Sequence, residues 1–600
     1  MAIKISNTKL ESFVGDVLPL WLEAEGEDIS DFKIKWTLDG DAVTMRCFGG
    51  PLHASFEWGV LLTFVKEGCA RISARIGDAE YVCEVVARAA RHCESAEAVN
   101  YYQGDFHDHT STIHNHDAFL NRKSEFQTDY LKAIKDDGRL DFAVESDHSD
   151  VLNLKDFFRS FTAAEQAKPM NTVIFPGSES EINNFEYDRF GLVHKYAGEI
   201  VVVNSDNFCF TKTYEEFVRE FRESPFVVAT LAHPQILGSS SQGGMWNFRL
   251  DKHNSDGFKR LIKLVEFGNG ADRCSNLVHE YVYSTALDNG FRVGGTCSSD
   301  SHSTWGFDVF PGKTIIMAPE KSKEAFLDAL LNNRVYCCES GNLKLRYTVN
   351  GRVAPADVAV TDKYSFKIEF SYFKEDSSTH PVVCELISDY GKALKIIDCK
   401  NADSIEFDIE SDSARYFYLR LADSEGRRTW SVPVWTGRAF DKTADTEPRA
   451  IDKTNFKAKN LTDGKDLSTL INGNPAQSVL FDSGNAEIVI DMGDERDVSA
   501  LGHYAPITSS DGVRAQGIIE SVPISRFALD YEISVSCDGV SYTSVKEGIF
   551  RAFGGEEIVR FEKCKARYVK LNVKSTVGKR SYFKKYENAR LEIAELSLFD

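Results

Sequence analysis

The sequence predicts a multi-domain chain in which one α/β unit is flanked by all-β units. Its 600 residues are more than one hydrophobic core usually holds, since single domains run to roughly 100–200 residues. Strands alternate with amphipathic helices over residues 99–342, and this alternation is typical of parallel α/β architecture. Short strands separated by turns fill the rest of the chain, a pattern typical of β-sandwiches.

The changes of pattern predict five segments along the chain. Residues 1–98 carry short alternating strands such as FKIKWTL and ARISARIG and predict a small β-sandwich. Residues 99–342 carry apolar strands such as LDFAVES and FVVATLA between helical runs such as TYEEFVREFRE. Residues 343–440 predict another small β-sandwich, residues 441–450 a polar linker, and residues 451–600 a third all-β unit.

Charge and composition exclude two classes of partner. A net charge of −21 argues against nucleic acid, whose phosphates are bound by clustered Lys and Arg. No stretch approaches the roughly 18 consecutive apolar residues of a membrane span. The first stretch, MAIKISNTKLESFVGD, has no apolar core and no small-residue cleavage site, which predicts a cytoplasmic protein. A leader in a longer natural chain would instead place the protein outside the cell or at its surface.

Metal-binding residue types recur at the ends of the predicted strands of the α/β unit. They are His107 and His109, Asp147 and His148, Glu179, His194, His233, and Asp300 and His302. Because the carboxyl ends of parallel strands meet at one edge, these side chains are predicted to converge on one rim.

The spacing and the residue types indicate a metal site at that rim. Side chains two residues apart lie on one face of a strand, so His107 and His109 can bind the same ion. Asp300 and His302 can do the same with mixed ligands. Imidazole and carboxylate without thiolate suit Zn, Mn or Fe. A carboxylate such as Glu179 can bridge two ions, and paired ions can activate water for hydrolysis.

The ordered motifs GDFHDHT, DFAVESDH, FPGSESEI, GLVH, LAHP and SDSH resemble those of the PHP (polymerase and histidinol phosphatase) superfamily. The resemblance spans about residues 100–340 and implies a distorted (β/α)7 barrel with two or three divalent ions, Zn, Mn or Fe. It also implies a function: a metal-activated hydroxide that cleaves a phosphomonoester or a phosphodiester.

Carried over position by position, the resemblance implies the metal ligands and, among them, the catalytic residues. The implied ligands are His107, His109, His148, Glu179, His194, His233, Asp300 and His302. One further ligand is expected after the HxH pair, where many relatives have Asp and this chain has His114, with His116 two residues on. The choice between these two histidines stays open. The implied catalytic residues are His107, His109, Glu179, Asp300 and His302.

Other residues are predicted to support this site. Asp105 and Asp147 are expected to orient imidazoles through the second ring nitrogen. A phosphate dianion attracts Arg or Lys, and a polar residue at a strand end can line the pocket. The candidate substrate contacts are Arg122, Arg189, Lys195, Arg249 and Glu266.

The motifs GDFHDHT and LDFAVESDH, with the later segment YFYLRLADSEGRRTWSVPVW, resemble the CehA/McbA-like branch of this superfamily. That branch includes enzymes that hydrolyse carbamates and other non-phosphate esters or amides. Hydrolysis of a carboxylic ester, carbamate or amide at the same site is therefore the alternative to phosphoester cleavage.

The flanking units carry resemblances of their own. Residues 1–98 resemble bacterial immunoglobulin-like domains, and residues 451–600 resemble discoidin-type (coagulation-factor C-domain) modules through NLTDGKDLSTLING, SCDGVSY and ARYVKLNV. Such modules often accompany glycan-processing enzymes, so a small molecule or a glycan is the expected partner. Candidate sugar contacts, which could equally be packing residues, are His503, Tyr504, Arg514, Phe553 and Tyr582.

One alternative of a different class remains, a non-catalytic glycan-binding protein that keeps a structural metal. The sequence leaves the oligomeric state open.

Overall fold

A computed structural model describes most of the chain. The described residues are 3–24, 33–47, 59–93, 96–109, 140–149, 152, 157–158, 160–161, 164–165, 171–182, 184–187, 189–191, 193–195, 198–209, 212–222, 224–234, 248–250, 252–269, 273–301, 311–438, 448–506, 524–551, 555–582 and 584–600. Of the predicted linker, only residues 448–450 are among them. Within these ranges, no helix is both long and apolar enough to cross a membrane.

The N-terminal unit is built from two facing sheets. Its strands are β1 (Ile3–Ile5), β2 (Lys9–Phe13), β3 (Val17–Ala24), β4 (Lys35–Asp39), β5 (Val43–Cys47), β6 (Gly59–Phe64), β7 (Gly68–Ile76) and β8 (Ala79–Arg88). One sheet has the order β1-β3-β6-β5 and the other β2-β8-β7-β4. Leu20, Leu62 and Ile72 are fully buried in the core that the two sheets share.

The second unit alternates strands with helices. Its strands are β9 (Asn100–Asp108), β10 (Phe142–Glu145), β11 (Val173–Ile182), β12 (Phe185–Tyr187), β13 (Val193–Lys195), β14 (Gly198–Val203), β15 (Val228–Ala232), β16 (Ile262–Asn269), β17 (Gly294–Ser298), β18 (Lys313–Ala318) and β19 (Val335–Cys338). Its helices are α1 (Tyr214–Glu220), α2 (Asp256–Leu261), α3 (Arg273–Asp288) and α4 (Lys323–Leu331). Helix α1 begins with a capping box, in which the Thr213 hydroxyl accepts from the Glu216 backbone amide.

Strands β9, β10, β11, β14, β15, β16 and β17 form what we call the curled sheet, with neighbours in this order. The pairs β9–β10, β10–β11, β15–β16 and β16–β17 are parallel, whereas β14 is antiparallel to both β11 and β15. Strand β14 therefore runs against the other strands of this sheet. The two ends of the sheet meet, because the His109 amide donates to the Ser301 carbonyl and the Asp300 amide to the His107 carbonyl, each at 3.0 Å.

Close backbone approach explains the glycine that opens the first motif. A Cβ atom at Gly104 in β9 would lie 2.2 Å from the Phe142 carbonyl oxygen of β10. Only glycine allows these two strands to pair at this distance.

The third unit continues the same hydrogen-bonded sheet. Its strands are β20 (Leu343–Val349), β21 (Arg352–Val353), β22 (Ala356–Asp357), β23 (Lys363–Tyr372), β24 (Pro381–Ser388), β25 (Lys392–Asp398), β26 (Ser404–Glu410), β27 (Tyr416–Asp423), β28 (Arg428–Trp430) and β29 (Val434–Trp435). Strand β19 pairs with β28, and the path runs on through β27, β24 and β25. The predicted boundary at residue 342 is therefore crossed by a sheet.

The C-terminal unit is a β structure packed onto a helix of the second unit. Its elements are β30 (Lys457–Asn460), β31 (Val479–Leu480), β32 (Ala486–Tyr504), β33 (Asp530–Ser536), β34 (Thr543–Ile549), β35 (Glu556–Val573), α5 (Val577–Arg580), β36 (Glu592–Ile593) and β37 (Glu595–Phe599). Leu277, Val278 and Tyr281 of α3 belong to the same buried cluster as the C-terminal core. Burial of these apolar side chains fixes the C-terminal unit against α3.

Candidate metal centre

The end of β9 contributes two imidazoles that face each other. His107 and His109 are both buried, and their Nε2 atoms lie 3.1 Å apart. They share a face because side chains alternate along a strand.

The Glu179 carboxylate of β11 lies at the centre of four imidazoles. Its oxygens are 3.1 Å from His107 Nε2, 3.5 Å from His109 Nε2, 3.0 Å from His148 Nδ1 and 3.2 Å from His233 Nε2. The carboxylate is 1% exposed. Imidazoles from the ends of three strands, β9, β10 and β15, therefore converge on one buried carboxylate.

Asp300 closes the cluster from the segment after β17. Its Oδ1 atom lies 3.1 Å from His109 Nε2, and its Oδ2 atom lies 3.9 Å from His233 Nε2. Both Asp300 and His233 have positive φ angles, 50° and 23°. Such left-handed backbone is costly for non-glycine residues and often marks functional sites.

Glu199 is a member of this cluster that the sequence reasoning missed. Its carboxylate oxygens lie 3.5 Å from His148 Nδ1 and 3.2 Å from His233 Nε2. Glu199 is the second residue of β14, and because β14 is antiparallel to its neighbours, its start lies at the rim where they end. Metal-binding residue types at the ends of strands therefore do not indicate Glu199, which lies near the start of one.

The geometry of the cluster suits divalent cations. Among the described residues, three groups of side chains have ligand atoms within 4.8 Å of one another: His107, His109 and Glu179; His107, His233 and Asp300; and His148, Glu179 and Glu199. Glu179 belongs to two groups, and its two oxygens could bind neighbouring ions, whereas His107 also belongs to two groups but offers only Nε2 and could bind one ion. Imidazole nitrogens with carboxylate oxygens are a donor set for Zn, Mn or Fe.

The electrostatics of the cluster point the same way. Burial favours the neutral acid at Asp300, but the nearby imidazoles outweigh burial and hold the pKa of this carboxyl well below its usual range. Burial and the charge of Glu179 raise the pKa of Glu199 well above its usual range. Burial alone would lower the pKa of His233, yet Glu179 and Glu199 raise it to about 10. Closely spaced buried carboxylates therefore attract positive charge, which bound cations would supply.

Glu266 lies behind the cluster and supports it. Its carboxylate is 3.3 Å from His107 Nδ1 and accepts from the His233 backbone amide at 2.6 Å and from the Asn269 side-chain amide at 3.1 Å. The sequence suggested Glu266 as a substrate contact. The structure instead places it against the second ring nitrogen of His107, where it orients the imidazole and fixes Nε2 toward the cluster.

Asp105 differs in detail from its predicted role, and the role of the Asp147 side chain stays a prediction. Asp105 accepts from the backbone amides of His107 at 3.3 Å and Ser299 at 3.1 Å, so it joins the two ends of the curled sheet and does not orient an imidazole. The backbone carbonyl of Asp147 accepts from the Glu179 amide at 3.0 Å, and its side chain is buried.

Several predicted residues lie away from the cluster or outside the described ranges. Arg189 donates to Glu556 at 2.6 Å and stacks on Phe190, so it joins the second unit to the C-terminal unit and is not positioned as a substrate contact. For Arg249 the structure gives backbone contacts, in which its carbonyl accepts from the Lys252 and His253 amides. His194 and Lys195 lie in β13, paired with β12, and their side chains are outside the description. The residues that lie wholly outside it are His114, His116, Arg122 and His302.

The candidate sugar contacts that are described turn inward. His503 is fully buried and stacks on Phe550 at a centroid distance of 4.0 Å, Tyr504 packs edge-on against Phe190, and the Tyr582 hydroxyl donates to Glu385 at 2.8 Å. Arg514 and Phe553 are outside the described residues.

No protein-family model matches the chain, and a search of curated proteins finds no relative. Comparison with solved structures does find similar chains. A Clostridium perfringens module in complex with GalNAc-β-1,3-galactose is 18% identical, with 25% of this chain and 99% of that chain covered and a TM-score of 0.20. The family 32 carbohydrate-binding module of C. perfringens NanJ, in complex with galactose, is 20% identical, with 25% and 98% covered and a TM-score of 0.20. The C-terminal domain of a Bacteroides fragilis chitobiase is 19% identical, with 25% and 95% covered and a TM-score of 0.18. At these TM-scores the likeness decides neither the fold nor the ligand of this chain.

Proposed function

We propose that this chain is a metal-dependent hydrolase whose active site is the cluster at the rim of the curled sheet. The observation that supports the proposal is the convergence of four imidazoles and three carboxylates, each of which has a ligand atom within 3.5 Å of another member of the cluster. In this proposal the curled sheet is the distorted (β/α)7 barrel of the PHP superfamily, and its reversed strand is part of the distortion.

The cluster residues divide into ligand groups that share Glu179. His107, His109 and Glu179 would hold one ion with Asp300 beside them, and His148, Glu179 and Glu199 would hold another. Divalent ions bound in such a site lower the pKa of a coordinated water and polarise the bond to be cleaved. The protein's part is to hold the ligands, and Glu266 does so for His107 by engaging Nδ1 while Nε2 faces Glu179.

A phosphoester is the proposed substrate, on the strength of the motif resemblance, and a carbohydrate-linked phosphoester is the more specific form. A carboxylic ester, carbamate or amide at the same site is the alternative, because the same metal chemistry acts on phosphorus and on carbonyl carbon.

The test combines metal content with hydrolysis. The chain would be loaded with Zn, Mn or Fe, its bound metal counted by mass spectrometry, and its activity measured on an aryl phosphate, an aryl phosphodiester and an aryl acetate. We expect two or three ions per chain and hydrolysis of a phosphoester. His107→Ala should lose both the bound metal and the hydrolytic activity. Glu199→Gln should lose one ion. His92→Ala, at an exposed histidine paired with Asp328, is the matched control.

Three outcomes would decide between the proposed hydrolase, its carboxylic ester alternative and the non-catalytic glycan-binding protein. No turnover of any substrate by metal-loaded protein, with His107→Ala indistinguishable from it, would reject both enzyme proposals. Turnover of the acetate alone would replace phosphoester cleavage by the carboxylic ester alternative. Bound metal without turnover would favour the non-catalytic glycan-binding protein.

Glycan binding by the C-terminal unit is the second candidate function. Its support is the discoidin-like sequence of residues 451–600 together with the all-β structure found there. Titration calorimetry of the full chain with galactose, N-acetylgalactosamine and mannose would test it. We expect saturable binding of one of them that His107→Ala retains, and the absence of binding to all three would reject this candidate.

A further inference from the structure

We propose that Asn269 is a positioning residue of the metal centre, and that a buried hydrogen-bond relay from the third unit holds it in place. This inference rests on the proposed function, because the groups that Asn269 positions are the candidate ligand Asp300 and the supporting residue Glu266.

One side-chain amide joins two carboxylates of the centre. Asn269 ends β16, and its Nδ2 atom lies 3.1 Å from Glu266 Oε2 and 3.1 Å from Asp300 Oδ2. An amide NH2 group has two hydrogens, so it can donate to both oxygens at once. Since Glu266 orients His107, Asn269 links the orientation of two candidate ligands that come from opposite ends of the curled sheet.

The relay behind Asn269 is continuous and buried. The Asn269 backbone amide donates to Asn276 Oδ1 at 3.2 Å, and Asn276 Nδ2 donates to Glu339 Oε1 at 2.7 Å. Glu339 Oε2 accepts from the Arg428 backbone amide at 2.6 Å. Asn276, Glu339 and Arg428 are each no more than 2% exposed. Hydrogen bonds in a buried chain constrain one another, so the position of β28 bears on the position of Asn269.

The relay gives the third unit a part in the metal centre. Helix α3 supplies Asn276, β19 is followed directly by Glu339, and β28 supplies Arg428. The pairing of β19 with β28 holds the last two segments together. A chain ending at the predicted boundary, residue 342, would keep every described candidate ligand and would lose Arg428, one of the two partners of Glu339.

The test measures metal affinity in the full chain. Asn269→Ala removes the donor to both carboxylates, and the dissociation constant for Mn²⁺ would be measured by competition with a fluorescent chelator. We expect it to rise roughly 10- to 100-fold, as is usual when a residue that orients a metal ligand is removed. The electron paramagnetic resonance spectrum of bound Mn²⁺ should change as well, because it reports ligand geometry. Asn254→Ala, whose amide bonds to Asn289 outside the cluster, should leave both unchanged.

A double-variant cycle tests the relay. Glu339→Gln should weaken Mn²⁺ binding in the same direction by a smaller factor. The double variant Asn269→Ala with Glu339→Gln should bind no more weakly than Asn269→Ala, because the relay acts only through Asn269. Independent, multiplying effects would overturn the relay.

Two further outcomes keep the inference apart from the proposed function. A folded Asn269→Ala protein with a lower melting temperature but unchanged Mn²⁺ affinity and spectrum has lost only a structural contact, which overturns the inference alone. Failure of the unaltered chain to bind Mn²⁺, Zn²⁺ or Fe²⁺ overturns the proposed function, and this inference with it.

Discussion

Replacing Arg420 by Met is a sharp test of how the units of this chain are held together. Arg420 lies in β27, fully enclosed, and its guanidinium donates to Glu280 of α3 at 2.7 Å and to Glu385 of β24 at 2.5 Å. Both carboxylates are buried. Met has a similar length and no charge, so Arg420→Met removes the cation and leaves the volume nearly filled.

Arg420→Met leaves the two carboxylates with different remaining partners. Glu385 keeps the Arg580 guanidinium at 3.2 Å and the Tyr582 hydroxyl at 2.8 Å. Glu280 keeps the Tyr418 hydroxyl at 2.7 Å as its other side-chain contact in the described residues. Removing one partner of a buried ion pair costs about 3–5 kcal/mol, mainly because a buried charge is left uncompensated. We expect a cost in this range, and most of it at Glu280.

Thermal unfolding followed by calorimetry measures this cost. A loss of about 1 kcal/mol lowers the melting temperature of a unit of 150–250 residues by roughly 2–4 °C, so we expect a fall on the order of 10 °C. Adding Glu280→Gln should recover most of the loss, because it removes the uncompensated charge. Arg75→Met, which breaks a solvent-exposed pair with Glu80, should have little effect. An Arg420→Met protein that melts with the unaltered chain, or a double variant no better than the single one, would refute this reasoning.

Two further substitutions test other parts of the structure. Burial lowers the pKa of His503 to about 3. Below about pH 6.5 the unfolded chain therefore takes up a proton at this imidazole, whereas in the folded chain the imidazole stays neutral. As the pH falls from about 6.5 to about 3, the free energy of unfolding decreases by up to roughly 1.4 kcal/mol per pH unit. His503→Phe should abolish this fall in acid denaturation curves, and an unchanged pH dependence would contradict the assignment. Gly104→Ala should push β9 away from Phe142, because a Cβ atom has no room there. We expect this overpacking to lower the free energy of unfolding by about 1–3 kcal/mol and the displacement of His107 to weaken Mn²⁺ binding. An unchanged melting temperature together with unchanged Mn²⁺ affinity would contradict this prediction.

Local pattern predicted that several residues of the candidate site lie close together, and the structure brings them within reach of one another. The HxH spacing placed His107 and His109 on one face, and the strand ends placed Glu179, His233 and Asp300 within reach of them. These are consequences of the two-residue period of a strand and of the shared direction of neighbouring strands. Whether these side chains bind metal stays a prediction.

The positions of other residues depend on strand direction and on contacts between distant segments, which the sequence pattern does not indicate. Glu199 lies at the rim because β14 is antiparallel to its neighbours, and the sequence GEIVVV does not indicate whether the strand pairs parallel or antiparallel. The sequence predicts Glu266 as a pocket residue, yet its carboxylate lies behind His107, against the ring nitrogen that faces away from Glu179. Arg189 was interpreted as a substrate contact because of its charge, yet its partner Glu556 lies far along the chain.

The sequence by itself indicated the order of β and α/β segments, the residue types of the candidate metal site and the face on which the first two histidines lie. These follow from side-chain period and residue chemistry, which act over a few residues. Only the tertiary structure decided the reversal of β14, the sheet that runs from β19 into β28 and the packing of the C-terminal core on α3. Each of these depends on hydrogen bonds or apolar burial between segments far apart in the chain. A local sequence pattern does not indicate which distant segments will meet.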